Sequence, residues 1–299
     1  MIEEIVGEDP AQIEAAVSVV IPAYNEGEHV AAQVAAVRQT MEHCDWPYEI
    51  IVVDDGSTDG TAAAADAPGV RVLRKLTNQG YGAAIKLGVQ HARYGWVLIT
   101  DADGTYPVEA IPGLLALAGK NEMVVGARLG KNVKIPLARR PAKWLLTRLA
   151  SYLAGQHLPD INSGLRLMRR SLVERYESLL PEGFSFTTTI TLAAACNGHS
   201  VAYVPIDYHA RLGDSKIRPW HAYDFTLLIL RTIVFFNPLK VFIPAGALLA
   251  IAGIGKFVYD VTQRHLNESL LVALLGPLII WAVGLLADQN ARIARRGSR

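Results

Sequence analysis

Two uncharged stretches near the carboxyl end limit what this chain can fold into. Residues 241–255 and 269–287 contain no charged side chain. A bilayer core takes about 20 apolar helical residues, with about 17–25 tolerated, so the pair predicts two membrane-spanning helices over about 240–260 and 269–287. Lys256 follows the first run, and apolar character resumes through Phe257, Val258 and Tyr259; a lysine there can extend its amine towards the headgroups. The connector, 260–268, sets one basic residue, Arg264, against Asp260 and Glu268. Basic residues collect outside the pair: Arg231 and Lys240 on one flank, Arg292, Arg295, Arg296 and Arg299 on the other. The positive-inside rule then puts both ends in the cytoplasm. The expected location is the cell (inner) membrane, with the rest of the chain on its cytoplasmic face.

Two further stretches have the composition of helices lying in a headgroup layer, where basic side chains alternate with aromatics and leucines. One is 219–237, with Trp220, Tyr223, Phe225, Phe235 and Phe236; the other is 138–156, with Arg139, Arg140, Lys143 and Arg148 among Trp144, Leu145, Leu146, Leu149, Tyr152 and Leu153. For the second, a surface helix packed on the domain core fits equally well.

The first two thirds read as an α/β domain. Short apolar runs at 17–21, 49–53, 70–73, 96–100 and 123–126 alternate with helical patterns near 28–43, 82–92 and 107–118, and the alanines of 62–65 read as a further helix. Such alternation predicts βαβ units and a mostly parallel sheet. Ligands of such sheets bind beyond the carboxyl ends of the strands.

Composition narrows the function classes. The 299 residues carry a formal net charge of +1, which argues against a nucleic-acid binder. The two cysteines, Cys44 and Cys196, are far apart and lack a CxxC or histidine partner, so neither a disulfide framework nor a zinc site is expected. That usage fits a reducing compartment. Residues 1–10 are acidic without an apolar core, unlike a secretory signal peptide. His29, His91, His199 and His221 have no partner at a telling spacing.

Polar residues follow each strand of this half. Pro22-Ala23-Tyr24-Asn25-Glu26 follows the first, Asp54-Asp55-Gly56-Ser57-Thr58-Asp59-Gly60 the second, Asp101-Ala102-Asp103-Gly104 the fourth and Ala127-Arg128 the fifth. Two carboxylates at a strand end can share a hard divalent cation with a ligand's diphosphate, although a lone DxD is more often a solvated turn. Asp54 and Asp55 can accept hydrogen bonds from a nucleoside, and the same stretch suits a tight turn and helix cap. Gly80, Gly82 and Gly88 can shape a phosphate-facing helix start but do not make a GxGxxG fingerprint.

Taken in order, Pro-Ala-Tyr-Asn-Glu, Asp-Asp-Gly-Ser and Asp-Ala-Asp-Gly closely resemble glycosyltransferase family 2 over about residues 17–218. Ser163-Gly164-Leu165-Arg166 and Arg211-Leu212-Gly213-Asp214-Ser215-Lys216 resemble its polyprenyl-phosphate branch, which includes dolichyl-phosphate mannose synthase and bacterial undecaprenyl-phosphate glycosyltransferases. The resemblance implies a GT-A (Rossmann-like) fold and this organisation: an N-terminal extension at 1–16, a catalytic domain at 17–218, an interfacial helix at 219–238, two membrane helices within 239–288 and a basic tail at 289–299.

It also implies inverting transfer of a hexose from a UDP- or GDP-linked nucleotide-sugar to a polyprenyl phosphate. Pro22, Tyr24, Glu26, Asp54 and Asp55 would hold the nucleoside; Asp101 and Asp103 would address the donor diphosphate, with Mg²⁺ or Mn²⁺ on Asp103 first. Arg128, Arg139, Arg140, Arg211, Ser215 and Lys216 would contact phosphates. Some relatives carry glutamine where this chain has Thr105, a poorer metal ligand. Relatives of this branch assemble through their membrane parts, which implies a homo-oligomer. The Gln-x-x-Arg-Trp motif of processive polysaccharide synthases is absent. A catalytically silent nucleotide-sugar-binding subunit, or a family 2 transferase with another acceptor, remains an alternative at this point.

Overall fold

The computed structural model describes residues 15–27, 29–130, 147–152, 154–183, 185–209, 227, 231, 234–263 and 269–297. β1 (Val17–Ala23) leads through α1 (Val30–Glu42) to β2 (Tyr48–Asp54), then α2 (Thr61–Ala65), β3 (Val70–Arg74), α3 (Tyr81–Gln90) and β4 (Trp96–Ile99). A 3₁₀ turn and α4 (Ile111–Leu115) precede β5 (Met123–Arg128); β6 (Arg166–Arg169), α5 (Arg170–Tyr176), α6 (Phe186–Cys196) and β7 (Val201–Ile206) complete the domain. The sheet has the order β3-β2-β1-β4-β6-β5-β7. β6 alone is antiparallel to its neighbours, so the other six strands present their carboxyl ends at one rim.

Both faces of the sheet are buried, which is why its strands read as continuous apolar runs. The side-chain period of two sorts β1: Val17, Val19 and Ile21 pack with Val30, Val34, Val37 and Met41 of α1, while Val20 joins Ile51, Val53, Ile85, Val89, Phe186 and Ile190 on the other face. The expected mostly parallel α/β sheet is thus observed, and the five expected strands lie within one or two residues of their predicted ends.

The differences have local causes. The helix expected over 107–118 is a 3₁₀ turn at Val108–Ala110 followed by the five-residue α4. Pro112 has no amide hydrogen to return to Val108, which interrupts the helical bonding at that point. β6 escaped prediction because arginines bracket its Leu-Met centre, and β7 because Pro205 interrupts it. Proline is tolerated in β7 because that strand is the sheet edge.

Two helices follow, α7 (Leu239–Thr262) and α8 (Ser269–Gly297). Both are long and apolar enough to cross a membrane, and only 11% of each apolar window is buried. They pack through small residues, as membrane helices do: Gly246 faces Trp281, Gly253 faces Ala273, Gly276 faces Leu249 and Gly284 faces Phe242. α8 does not stop at Asp288; it continues to Gly297, with Asp288 and Arg292 paired at 2.7 Å one turn apart. α7 likewise runs through Lys256 and Asp260, which pair with each other.

The described parts of the two stretches expected at a headgroup layer include side chains packed on the domain. Phe236 is buried edge-on to Tyr176 at 6.0 Å. Leu149 and Ala150 pack with Leu158, Ile161, Leu192, Ala195 and Val241 of α7. Trp144, Lys143, Trp220, Tyr223 and Phe225 lie outside the described residues.

Gly88 of α3 packs against the sheet: a Cβ there would sit 2.4 Å from a Val20 methyl. Alanine gains up to about 1 kcal/mol in helix propensity, but overpacking costs about 1–3 kcal/mol. Gly88→Ala is therefore expected to lower the stability of the full chain by roughly 1–2 kcal/mol, measured as a fall in melting temperature in detergent.

Candidate functional site

A cavity of about 300 Å³ opens at the rim where the strands end. Pro22, Tyr24, Glu26, Asp55, Asn78, Gly80, Tyr81, Asp101 and Asp103 line it. Of the residues singled out from sequence, it therefore gathers Pro22, Tyr24, Glu26, Asp55, Asp101 and Asp103. Asp54 is fully buried beneath it, with Oδ1 accepting the Ser57 N–H at 2.8 Å and Oδ2 at 3.5 Å from Arg74.

The loops after β1 and β2 are laced together. Asn25, in the left-handed region at φ 54°, donates its N–H to Ser57 Oγ at 2.9 Å and accepts the Thr58 N–H at 3.0 Å. Glu26 N–H donates to Thr61 Oγ1 at 2.9 Å, and Gly27 N–H to Asp59 Oδ2 at 3.2 Å. Ser57, Thr58 and Asp59 thus fix the wall that carries Tyr24 and Glu26.

Asp55 acts as a bracket. Its carboxylate lies 2.8 Å from Lys75 Nζ and accepts the N–H groups of Gln79 at 3.1 Å and Gly80 at 2.7 Å. Gly56, at φ 74°, sits where a Cβ would meet Thr77 backbone at 2.6 Å. The loop before α3 is thereby clamped to the end of β2. Ala83 N–H donates to Glu182 O at 2.9 Å, and a Cβ on Gly80 or Gly82 would collide with that same 181–183 backbone. The start of α3 is consequently tied down by protein groups at the Gln79, Gly80 and Ala83 amides.

Tyr81 projects from that clamped start and donates its hydroxyl to Asp101 Oδ1 at 2.9 Å. Burial first, then the neighbouring Asp101 carboxylate, pushes the phenol well above its ordinary ionisation, so it remains a donor. Behind Asp101 lies Gly164, where a Cβ would fall 2.8 Å from a carboxylate oxygen; its N–H donates to the Tyr106 hydroxyl at 2.7 Å. Asp103 Oδ1 accepts both the hydroxyl of Thr105, at 2.6 Å, and its N–H, at 3.1 Å.

Arg128 closes a second cluster beside the cavity. Its Nε and Nη2 grip Asp160 at 2.8 and 2.9 Å, its backbone N–H adds a third bond at 3.0 Å, and the Tyr208 ring lies 5.5 Å from its guanidinium. Burial alone would raise the Asp160 carboxyl, but the Arg128 bonds outweigh it and hold it at about 2. Arg166, fully buried, donates to the carbonyls of Ser163 and Thr187 and to Thr191 Oγ1; burial pushes its guanidinium below the usual range. It fastens the Ser163-Gly164 segment to α6.

The chain leaving β7 crosses to this rim, where His209 N–H donates to Thr105 O at 3.0 Å. Arg211, Ser215, Lys216, Arg139 and Arg140 lie outside the described residues. Tyr81, Asn78, Tyr106 and Asp160 were not singled out from sequence as site residues. Tyr81 had a signal, its place between two glycines at a helix start; Asp160 had none.

Among the described residues no three His, Cys, Asp or Glu side chains gather as a metal cage. Asp101 and Asp103 still fit a hard divalent cation of the kind that takes one or two carboxylates and completes its shell with phosphate oxygens and water.

The model of Glycosyl transferase family 2 matches residues 18–177, and that of the GtrB C-terminal hairpin matches 237–293. A dolichyl-phosphate hexose transferase of Haloferax volcanii is 32% identical over 205 residues, 68% of this chain and 87% of that one. An undecaprenyl-phosphate 4-deoxy-4-formamido-L-arabinose transferase of Sodalis glossinidius is 30% identical over 260 residues, 83% of this chain and 76% of the relative. Among solved structures, glucosyl-3-phosphoglycerate synthase of Mycobacterium tuberculosis with Mn²⁺, UDP and phosphoglyceric acid shares the fold at TM-score 0.58 and 22% identity, over 75% of this chain and 80% of that one.

The Asp160 carboxyl titrates at about 2 when folded and near 3.9 when unfolded. Its pair with Arg128 stabilises the fold above pH ~4 by about 2 kcal/mol, and that contribution is lost as pH falls through about 2. Asp160→Asn leaves the buried guanidinium uncompensated and is expected to cost roughly 3 kcal/mol near neutral pH. Thermal unfolding against pH should show the gap between the two proteins narrowing below pH ~4.

Proposed function

Because the chain belongs to glycosyl transferase family 2 and is a glycosyltransferase, we propose that it moves a hexose from a nucleotide-sugar to a polyprenyl phosphate at a membrane surface, with inversion at the anomeric carbon. Pro22, Tyr24 and Glu26 wall the nucleoside, and Asp101 and Asp103 face its diphosphate across the cavity. A bound Mg²⁺ or Mn²⁺ supplies charge neutralisation for the departing nucleoside diphosphate. Arg211, Ser215 and Lys216, with the pair Arg139 and Arg140, hold phosphate oxygens, arginine as a fork and lysine as a point charge; Arg128, whose Nε and Nη2 are taken by Asp160, adds its remaining N–H groups.

The acceptor needs no strong general base. A phosphate monoester loses its second proton at about 6, so its oxygen is already anionic near neutral pH. That oxygen forms the new bond to the anomeric carbon while the bond to the diphosphate oxygen breaks on the opposite side. The protein's task is to align the two phosphates and exclude water.

The observation that carries this proposal is the bond from His209 to Thr105. That bond sets the chain leaving β7 two residues from Asp103. The segment 211–216 begins two residues later in sequence. The apolar hairpin begins at Leu239, on the same side in sequence as that segment, and supports a lipid-borne acceptor. Relatives named for dolichyl- and undecaprenyl-phosphate point to the same class. On this reading the catalytic domain is cytoplasmic and the hairpin spans the membrane.

The test is transfer by the full chain in detergent, from radiolabelled UDP- and GDP-hexoses to a short polyprenyl phosphate. Lipid-linked product should form with one donor of the panel, vanish with excess EDTA and fall at least about 100-fold in Asp103→Ala. Arg211→Ala and Lys216→Ala should raise the acceptor KM or lower turnover. Full activity in EDTA would remove the metal from the scheme, and unchanged kinetics in both cationic variants would remove the acceptor assignment.

A further inference from the structure

We propose that Tyr81 and Thr105 are positioning residues that set the orientation of the Asp101 and Asp103 carboxylates towards a divalent cation and its nucleoside diphosphate. This rests on the assignment of those two aspartates to the donor diphosphate. Each aspartate has one oxygen engaged by a neutral hydroxyl. Tyr81, from the start of α3, holds Asp101 Oδ1 at 2.9 Å; Thr105, from the same turn as its partner, holds Asp103 Oδ1 at 2.6 Å.

The donors are themselves immobilised. Tyr81 follows the two amides clamped by Asp55, and its helix start is fastened to Glu182 O through Ala83. Thr105 is 1% exposed, and its carbonyl is held by His209. Gly164 leaves room for the far side of Asp101 and admits nothing larger. A hydroxyl donor orients a carboxylate without cancelling its charge, unlike the Lys75 and Arg128 partners of Asp55 and Asp160. Thr105 in this chain thus serves behind Asp103, and its hydroxyl is already committed to that carboxylate rather than turned to the cation.

Ligands that orient a metal-binding carboxylate typically contribute about 10- to 100-fold in metal affinity or activity. Phe at 81 keeps the ring and removes the donor. Val at 105 keeps the shape and the backbone N–H bond, so its effect should lie at the lower end of that range. Ser at 105 keeps the hydroxyl. The measurement is Mn²⁺ titration of the full chain in detergent with UDP or with GDP present, read by the electron paramagnetic resonance of free Mn²⁺, alongside turnover and melting temperature.

Tyr81→Phe and Thr105→Val should weaken Mn²⁺ binding in the presence of nucleotide by about 10- to 100-fold and about tenfold respectively. Turnover should fall in parallel, acceptor KM should hold, and Thr105→Ser should behave as wild type. Wild-type Mn²⁺ affinity in both Tyr81→Phe and Thr105→Val overturns the proposal, as does a loss that Thr105→Ser fails to rescue. Asp103→Ala separates the two levels: if it binds Mn²⁺ as the wild type does, the assignment of the aspartates fails and the positioning role with it. If Asp103→Ala loses the metal while the hydroxyl variants keep it, only the positioning role is wrong.

Discussion

A carboxylate bonded to backbone N–H groups beside a strand's carboxyl end is the interaction on which the rim of this protein depends. Asp54 does this for Ser57, Asp55 for Gln79 and Gly80, and Asp160 for Arg128 and Asn162. Loops of this length would otherwise leave amides unpaired at a half-buried surface, at a cost of about 1–3 kcal/mol each. The three brackets also stand beside Arg74, Lys75 and Arg128, so their charge is matched locally. Asp101 and Asp103 accept hydroxyls from Tyr81 and Thr105. Three of these five aspartates thus hold loop and strand backbone, and two are held by hydroxyl donors at the cavity.

This division also explains what was legible in the sequence. The sheet declared itself because both faces are covered, so β1, β2, β4 and β5 are written as unbroken apolar runs. β6 was hidden because Arg166 enters the core as a buried donor instead of a surface charge, which inverts the usual meaning of an arginine in a strand pattern. The acidic motifs were legible as a group. Which member of Asp54-Asp55 faces the cavity was not, because the strand ends there and side-chain parity ends with it. Asp160 and Tyr81 could not be paired with Arg128 and Asp101 from spacing alone: 32 and 20 residues of chain separate them.

The hairpin was the clearest signal and follows from a different constraint. Buried on both faces, strands tolerate little polar substitution; α7 and α8 keep Leu, Ile and Phe exposed along most of their length, which only a nonpolar solvent makes stable. Between the helices the driving force is close contact rather than water exclusion, hence glycines opposite Trp281, Ala273, Leu249 and Phe242. The charged residues past Asp288 did not end α8, because Asp288 and Arg292 support each other across one turn.

The anchor and the cavity are joined by packed elements rather than by a free tether. Val241, at the base of α7, sits against the cluster of Ala150, Leu158, Leu192 and Ala195, and Lys240 Nζ donates to Tyr152 O at 3.4 Å. Leu192 and Ala195 belong to α6. The first turns of α6 receive the Arg166 guanidinium through Thr187 O and Thr191 Oγ1, and the same guanidinium holds Ser163 O, one residue from the Gly164 that backs Asp101. Apart from the exposed Lys240–Tyr152 contact, these links are buried or partly buried, and protein interiors of this density deform little. The tilt of the hairpin relative to the domain, and with it the height of the aspartate rim above the hairpin, is therefore set by packing.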